Sequence, residues 1–201
     1  MPPIQTLCQS VLCLDFDGVL HRGSDAIHVP SGAANVPLLV VQLKAQSRLT
    51  WLKDLEQMLE ASPGVAILVH STWRRRFSQS TLAQLLGGLE SRVVQPPAYA
   101  VDLTAPAPAF IRQSLDWINE TRHEAGQDSL NLQHCVVLDD RPEFFAEDAE
   151  MFERLVVTDP NRGLGDASKR RELLVALKHA SAHRHAVVFE DHGDAAPVAR
   201  H

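Results

Sequence analysis

Cysteine is scarce in this sequence: 201 residues hold three, Cys8, Cys13 and Cys135, an odd set with no metal-ligand spacing. A disulfide framework and a zinc ribbon are both excluded as the scaffold, and a reducing, cytoplasmic setting is expected. Long apolar runs are lacking as well. The longest, residues 36–41, is interrupted by Pro37, far short of the ~18–20 residues of a membrane span, so no membrane partner is expected. Met1-Pro2-Pro3-Ile4-Gln5-Thr6 has no basic stretch of the kind that opens a secretory signal. Positive charge is not in excess either; the net charge of −6 argues against indiscriminate coating of nucleic acid. What is present, 45% hydrophobic and 22% charged residues, is the balance of a folded globular chain. The expectation is one domain over residues 1–182, followed by a His-rich tail over 183–201 that either adds an edge strand or stays disordered.

Short apolar runs punctuate the chain, and three of them end abruptly in polar residues. Val11-Leu12-Cys13-Leu14 runs into Asp15-Phe16-Asp17-Gly18, Val65 to His70 into Ser71-Thr72-Trp73, and Cys135-Val136-Val137-Leu138 into Asp139-Asp140. Arg92 to Gln95 and Leu155 to Thr158 are weaker runs of the same kind. Runs rich in β-branched residues without strict alternation predict strands buried on both faces, as in a parallel sheet. Helical spacing lies between them. Leu49, Leu52, Leu55 and Leu59 step by three and four, with Ser47 as a candidate N-cap and Pro63-Gly64 past the end. Ile111, Leu115 and Ile118 repeat the pattern, and Leu173, Leu174, Leu177 and Ala180 predict a last helix beginning near Asp166. A weaker helix is expected at about 80–86, closed by Gly87-Gly88. Residues from about 21 to 47 and from 96 to 108 read as loops, the second with four of the twelve prolines. Strands alternating with helices predict βαβ units and an open, doubly wound α/β sheet. Such sheets bind ligands beyond the carboxyl ends of their strands, where the polar landings fall.

Asp15 and Asp17, two apart in an extended segment, share a face and can point at one site. Close carboxylates repel unless a cation neutralises them. Few hard oxygen ligands, with room left for phosphate and water, fit Mg2+. Asp139 and Asp140 bring further carboxylates to the same edge; the plainer alternative is that Asp-x-Asp-Gly is only a turn. Ser71 and Thr72 can donate hydroxyls to phosphate oxygens, or merely cap a turn. Arg112, near the start of the third helix, can supply fixed positive charge, although a helical arginine is usually solvated.

Taken together, Asp15-Phe16-Asp17-Gly18-Val19-Leu20, Ser71 after a strand, a basic residue on a helix and Leu138-Asp139-Asp140 resemble the four ordered motifs of the haloacid dehalogenase (HAD) superfamily. The resemblance spans about residues 11–158. Three details are similar to the single-domain branch of bacterial RNA-repair proteins: Asp-Gly-Val-Leu-His ending at His21, Ser-Thr-Trp-Arg ending at Arg74, and Asp159-Pro160 followed by Gly163-Leu164. The resemblance implies a three-layer Rossmannoid fold without a large cap, and a phosphatase acting on phosphomonoesters through an aspartyl phosphate. Asp15 is then the nucleophile, and Asp17 the acid that protonates the leaving group and the base that activates water. Mg2+ is held by Asp15, the main-chain carbonyl of Asp17 and Asp140, with Asp139 behind; Ser71 orients the phosphate.

In that family the third motif is normally lysine, and Lys44, Lys53, Lys169 and Lys178 all fall elsewhere in the chain. Arg112 is the expected substitute, with Arg75 and Arg76 next. His21 stands where many relatives have threonine. The missing cap favours bulky phosphoesters, such as nucleic-acid ends or phosphoproteins, over small metabolites. Arg74-Arg75-Arg76, on an otherwise acidic chain, form a local positive feature suited to a phosphorylated oligonucleotide. Two other readings compete: a catalytically idle phosphate-binding module, and a hydrolytic dehalogenase. Dehalogenases of the family work without metal and generally lack the second aspartate, so Asp17 speaks against that reading.

Overall fold

The computed structural model describes residues 7–24, 49–94 and 96–182. Four strands form one parallel sheet in the order β2-β1-β3-β4: β1 Ser10–Leu14, β2 Val65–Val69, β3 Cys135–Asp139 and β4 Leu155–Val157. The register sets Leu14 beside Val69 and beside Leu138. The residues that follow these three strands therefore meet at one edge.

Successive strand residues face opposite layers, which is why the runs are apolar throughout. Leu12, Leu14, Ile67, Val69, Val136 and Leu138 pack into one core layer. Val11, Cys13, Ala66, Leu68, Cys135 and Val137 pack into the other. The first layer is closed by α1 (Leu52–Glu60), α2 (Gln79–Leu85) and α5 (Ala167–Ala182), through Leu55, Leu59, Leu82, Leu173 and Leu177. The second is closed by α3 (Ala107–Glu124), through Phe110, Ile111, Leu115 and Ile118. A short helix, α4 (Ala149–Phe152), precedes β4. All three cysteines are buried and unbridged. Among the described residues no helix is long and apolar enough to cross a membrane.

Several boundaries differ from expectation. The first helix starts at Leu52, with Trp51 at the cap position and no side-chain cap; Ser47 lies outside the described residues, as do most of the loop over 21–47 and the tail over 183–201. Helix α3 reaches back into the expected proline loop. Pro108 sits in its first turn, where the missing N–H has no partner to lose. The expected strand at Arg92 to Gln95 is reduced to a bridge between Val93 and Ile67, and Gln95 is not described. At α2, Ser78 is the cap that the sequence reading did not name; its hydroxyl accepts from the Thr81 N–H.

The turn after β4 braces the chain that leaves β1. The Leu164 N–H donates to the Val19 carbonyl at 3.0 Å, and the Gly23 N–H to that of Pro160 at 2.8 Å. At Gly163 φ is +43°, and a Cβ there would lie 2.2 Å from the Trp51 ring. Only glycine permits so close an approach with that backbone. The Asp159-Pro160…Gly163-Leu164 segment is thus a structural brace for residues 19–23.

Candidate active site

Beyond the strand ends opens a cleft of about 750 Å³, lined by residues from all the polar landings. Asp15 leaves β1 with its N–H on the Leu138 carbonyl at 3.0 Å. Asp139 ends β3, and Asp140 follows it. One carboxylate oxygen from each of Asp15, Asp139 and Asp140 lies within 4.8 Å of the others. The Asp140 carboxylate lies over Gly18, whose φ is +69° and where a Cβ would stand 2.1 Å from Oδ2. A side chain at position 18 would displace Asp140, so the glycine of Asp-x-Asp-Gly makes room for the third carboxylate.

Burial and mutual repulsion make this cluster hold positive charge, as protons or as a cation. Burial raises the Asp15 carboxyl well above its usual range, nearby Asp139 adds to the rise, and a hydrogen bond with the Ser71 side chain opposes it. Asp139 is pushed up to about 7, chiefly by burial, even though its Oδ1 accepts the Arg141 N–H at 2.8 Å. Asp140 is raised too, again mainly by burial. Three hard oxygen donors with raised affinity for positive charge fit a divalent ion such as Mg2+. A measurable consequence follows from linkage. Without divalent ions the fold should lose stability as pH rises between 3.8 and about 7, because folded Asp139 retains a proton that the unfolded chain has released. Magnesium should restore stability at neutral pH and do little near pH 4. Thermal melts with chelator and with magnesium at both pH values read this; an equal gain in Tm at both would place the ion elsewhere.

Asp17 stands apart from that cluster, held by Trp73 and lying beside His21. The Trp73 Nε1–H donates to Asp17 Oδ2 at 3.0 Å, and His21 Nε2 lies 3.1 Å from Oδ1. The buried His21 ring is fixed by Nδ1 donating to the Arg22 carbonyl at 2.9 Å. Asp17 remains partly exposed and lines the cleft. The sequence gives no sign of either contact, with Trp73 or with His21.

The Ser71 hydroxyl accepts the Trp73 N–H at 3.4 Å and caps the tight turn Thr72–Arg75. Ser71 thus caps the turn, the plainer of its two readings, and its side chain also hydrogen-bonds Asp15. Thr72 is exposed and lines the cleft.

That same turn separates the three arginines. Arg74 points inward and is 3% exposed. Its Nη1 donates to the carbonyls of His70 and Ser71, its Nη2 to that of Ala105, and its guanidinium lies 4.6 Å from the Phe110 ring centre. Its Nε–H has no acceptor. Burial and the charge of Arg75 lower its pKa to about 10, while Asp15 acts in the opposite direction. Arg75 and Arg76 are exposed on the rim; Arg75 Nη2 donates to the Thr104 carbonyl at 2.9 Å. The structure does not bring Arg112 to this site. Its guanidinium forks onto Asp148 at 2.8 and 3.0 Å and reaches Glu150 at 3.3 Å, outside the residues that line the cleft.

His70, at the end of β2, was missed by sequence reasoning. Its Nδ1 lies 3.7 Å from Asp139 Oδ2. Burial, reinforced by Arg74, lowers its pKa to about 3, so it meets Asp139 as a neutral ring.

No curated protein and no solved structure matches the chain. A family model does, that of the HAD domain in Swiss Army Knife RNA repair proteins, over residues 11–168. The matched region begins in β1 and ends in the first turn of α5, taking in every residue of the cleft. The parallel sheet, the aspartates at its strand ends and this match agree, and the chain belongs to the HAD superfamily, in the branch of HAD domains found in Swiss Army Knife RNA repair proteins.

Proposed function

We propose that the protein is a magnesium-dependent phosphatase that hydrolyses phosphomonoesters through an aspartyl phosphate on Asp15. The observation that carries this reading is the convergence of Asp15, Asp139 and Asp140 within 4.8 Å, beside a buried hydroxyl and a buried guanidinium. The three carboxylates would hold the ion, together with the main-chain carbonyl of Asp17. When bound, it offsets negative charge on the phosphate and keeps Asp15 ionised.

An Asp15 oxygen attacks phosphorus, the bond from phosphorus to the ester oxygen breaks, and Asp17 gives that oxygen a proton. Asp17 then takes a proton from water as the water oxygen attacks phosphorus, and the bond to Asp15 breaks, releasing inorganic phosphate. Thr72, which lines the cleft, and the buried Ser71 hydroxyl and Arg74 Nε–H beside it would offer donors to the phosphate oxygens. Three buried, unbridged cysteines fit a reducing, cytoplasmic setting.

The test is a broad phosphoester screen with and without magnesium. Hydrolysis that chelation stops and magnesium restores supports the reading. Failure on every ester would favour the idle phosphate-binding module. The role of Asp17 has its own signature: Asp17→Asn should slow alkyl phosphates far more than activated aryl phosphates, whose leaving groups need little protonation. Equal losses would mean that Asp17 serves only geometry.

For the substrate we favour a terminally phosphorylated oligonucleotide. Arg75, Arg76 and Arg141 surround the cleft, and the family description concerns RNA repair. Replacing Arg75 and Arg76 with alanine should lower the rate ratio of oligonucleotide to small alkyl phosphate. Rising salt should lower it as well. Kinetics at low and high salt check both; no oligonucleotide preference at low salt removes nucleic acid from the reading.

A further inference from the structure

The wall formed by residues just after the paired aspartates carries a feature that phosphate chemistry does not use. Residues Pro142–Phe144 make one tight turn directly beyond Asp139 and Asp140. The Phe144 N–H closes it on the Arg141 carbonyl at 3.1 Å. Phe144 is 42% exposed, one of few large apolar side chains outside the core among the described residues. The Arg141 guanidinium lies over its ring, 4.0 Å from the centre. Glu143 fixes that guanidinium from the side at 2.8 Å, leaving the Arg141 side chain 54% exposed. Both Arg141 and Phe144 line the same cleft as the carboxylates.

An exposed aromatic ring with a guanidinium stacked on it provides flat, polarisable surface at the rim of a phosphate site. Unpaired nucleobases are bound on surfaces of this kind, by aromatic rings and arginine planes. Proline in the turn and the Glu143 bridge hold the pair in place, so little ordering remains to be done on binding. Arg75 and Arg76 line the same cleft and are suited to a phosphodiester backbone. We infer that Arg141 and Phe144 form a stacking platform for the nucleobase of the terminal nucleotide, whose phosphate enters the carboxylate centre. The inference rests on the phosphatase reading for which end of the substrate enters the cleft.

The test uses full-length protein carrying Asp15→Asn, so that the phosphate persists. The probe is a single-stranded oligonucleotide whose phosphorylated terminal nucleotide is 2-aminopurine, a base whose fluorescence falls when it stacks. Quenching is expected on binding. The same oligonucleotide with an abasic terminal position should bind about 5- to 150-fold more weakly, the range for loss of one stacked base. Adding Phe144→Ala should remove both the quench and this discrimination, and Phe144→Trp should keep both. Equal binding of the two oligonucleotides, or quenching that survives Phe144→Ala, overturns the platform. A phosphoserine peptide that binds more tightly than the oligonucleotide and depends on Phe144 overturns it in favour of a protein partner. Magnesium-dependent phosphate release from a small aryl phosphate by the unsubstituted protein reports separately on the phosphatase reading. Stacking without that turnover supports the platform and removes the phosphatase; turnover without stacking does the reverse.

Discussion

Asp15→Asn is expected to abolish turnover, lowering the rate by more than ~10³-fold, as removal of a catalytic nucleophile generally does. An amide matches the carboxylate in shape but does not form an acyl phosphate. The fold should survive, because the Asp15 backbone is held on Leu138 and its side chain leaves little room for collapse. Stability should even rise in the absence of magnesium. Burial and Asp139 both disfavour the ionised form of Asp15, and a neutral side chain escapes both costs. Single-turnover phosphate release and a thermal melt in chelator are the two measurements. A variant that keeps a tenth of the wild-type rate would end the covalent mechanism. One that melts well below wild type in chelator would show that the carboxylate is not strained as described.

The strands were legible because their cause is local. Val11 to Leu14, Val65 to Val69 and Cys135 to Leu138 are apolar at every position, and only a strand covered on both faces has use for that. The carboxylates were legible for a related reason: each stands at the end of such a run, and parallel pairing brings those ends together. What escaped was contact between residues distant in sequence. Trp73 donates to Asp17 from 56 residues along the chain, in a segment that shares no periodicity with it. His70 reads as the last residue of a strand, and only the pairing of β2 with β1 and of β1 with β3 sets it beside Asp139. Helix starts failed where capping was not done by a side chain, as at Trp51. Phe144 had no pattern to betray it, since one exposed aromatic in a polar turn has the same sequence context whether it binds or not.

The arginines illustrate the limit most sharply, and they carry the second large prediction. Three consecutive arginines follow Thr72-Trp73, and sequence alone treats them alike; a tight turn buries Arg74 and leaves Arg75 and Arg76 on the rim. Arg112 looked suitable for the missing third motif because it lies on a helix in the right part of the chain, yet Asp148 and Glu150 claim its guanidinium. We therefore assign the fixed charge opposite Asp15 to Arg74, the buried guanidinium of the cleft and the one with an unmatched N–H. Arg112→Ala should leave kcat near wild type and cost no more than ~1 kcal/mol of stability, the range for exposed ion pairs. Arg74→Ala should lower kcat by roughly 10²–10³-fold, as loss of a donor aimed at developing charge does. Arg74→Lys should recover only part of this, because an ammonium does not reproduce a fork that bonds His70, Ser71 and Ala105 at once. Since Arg74 also ties the Ala105 segment to the end of β2, a thermal melt must accompany the kinetics. Added guanidinium ion separates the two roles: it should partly restore the rate of Arg74→Ala by entering the space left behind, a recovery that a purely structural defect would not show. A loss in Arg112→Ala as deep as that in Arg74→Ala would return the role to the helix arginine.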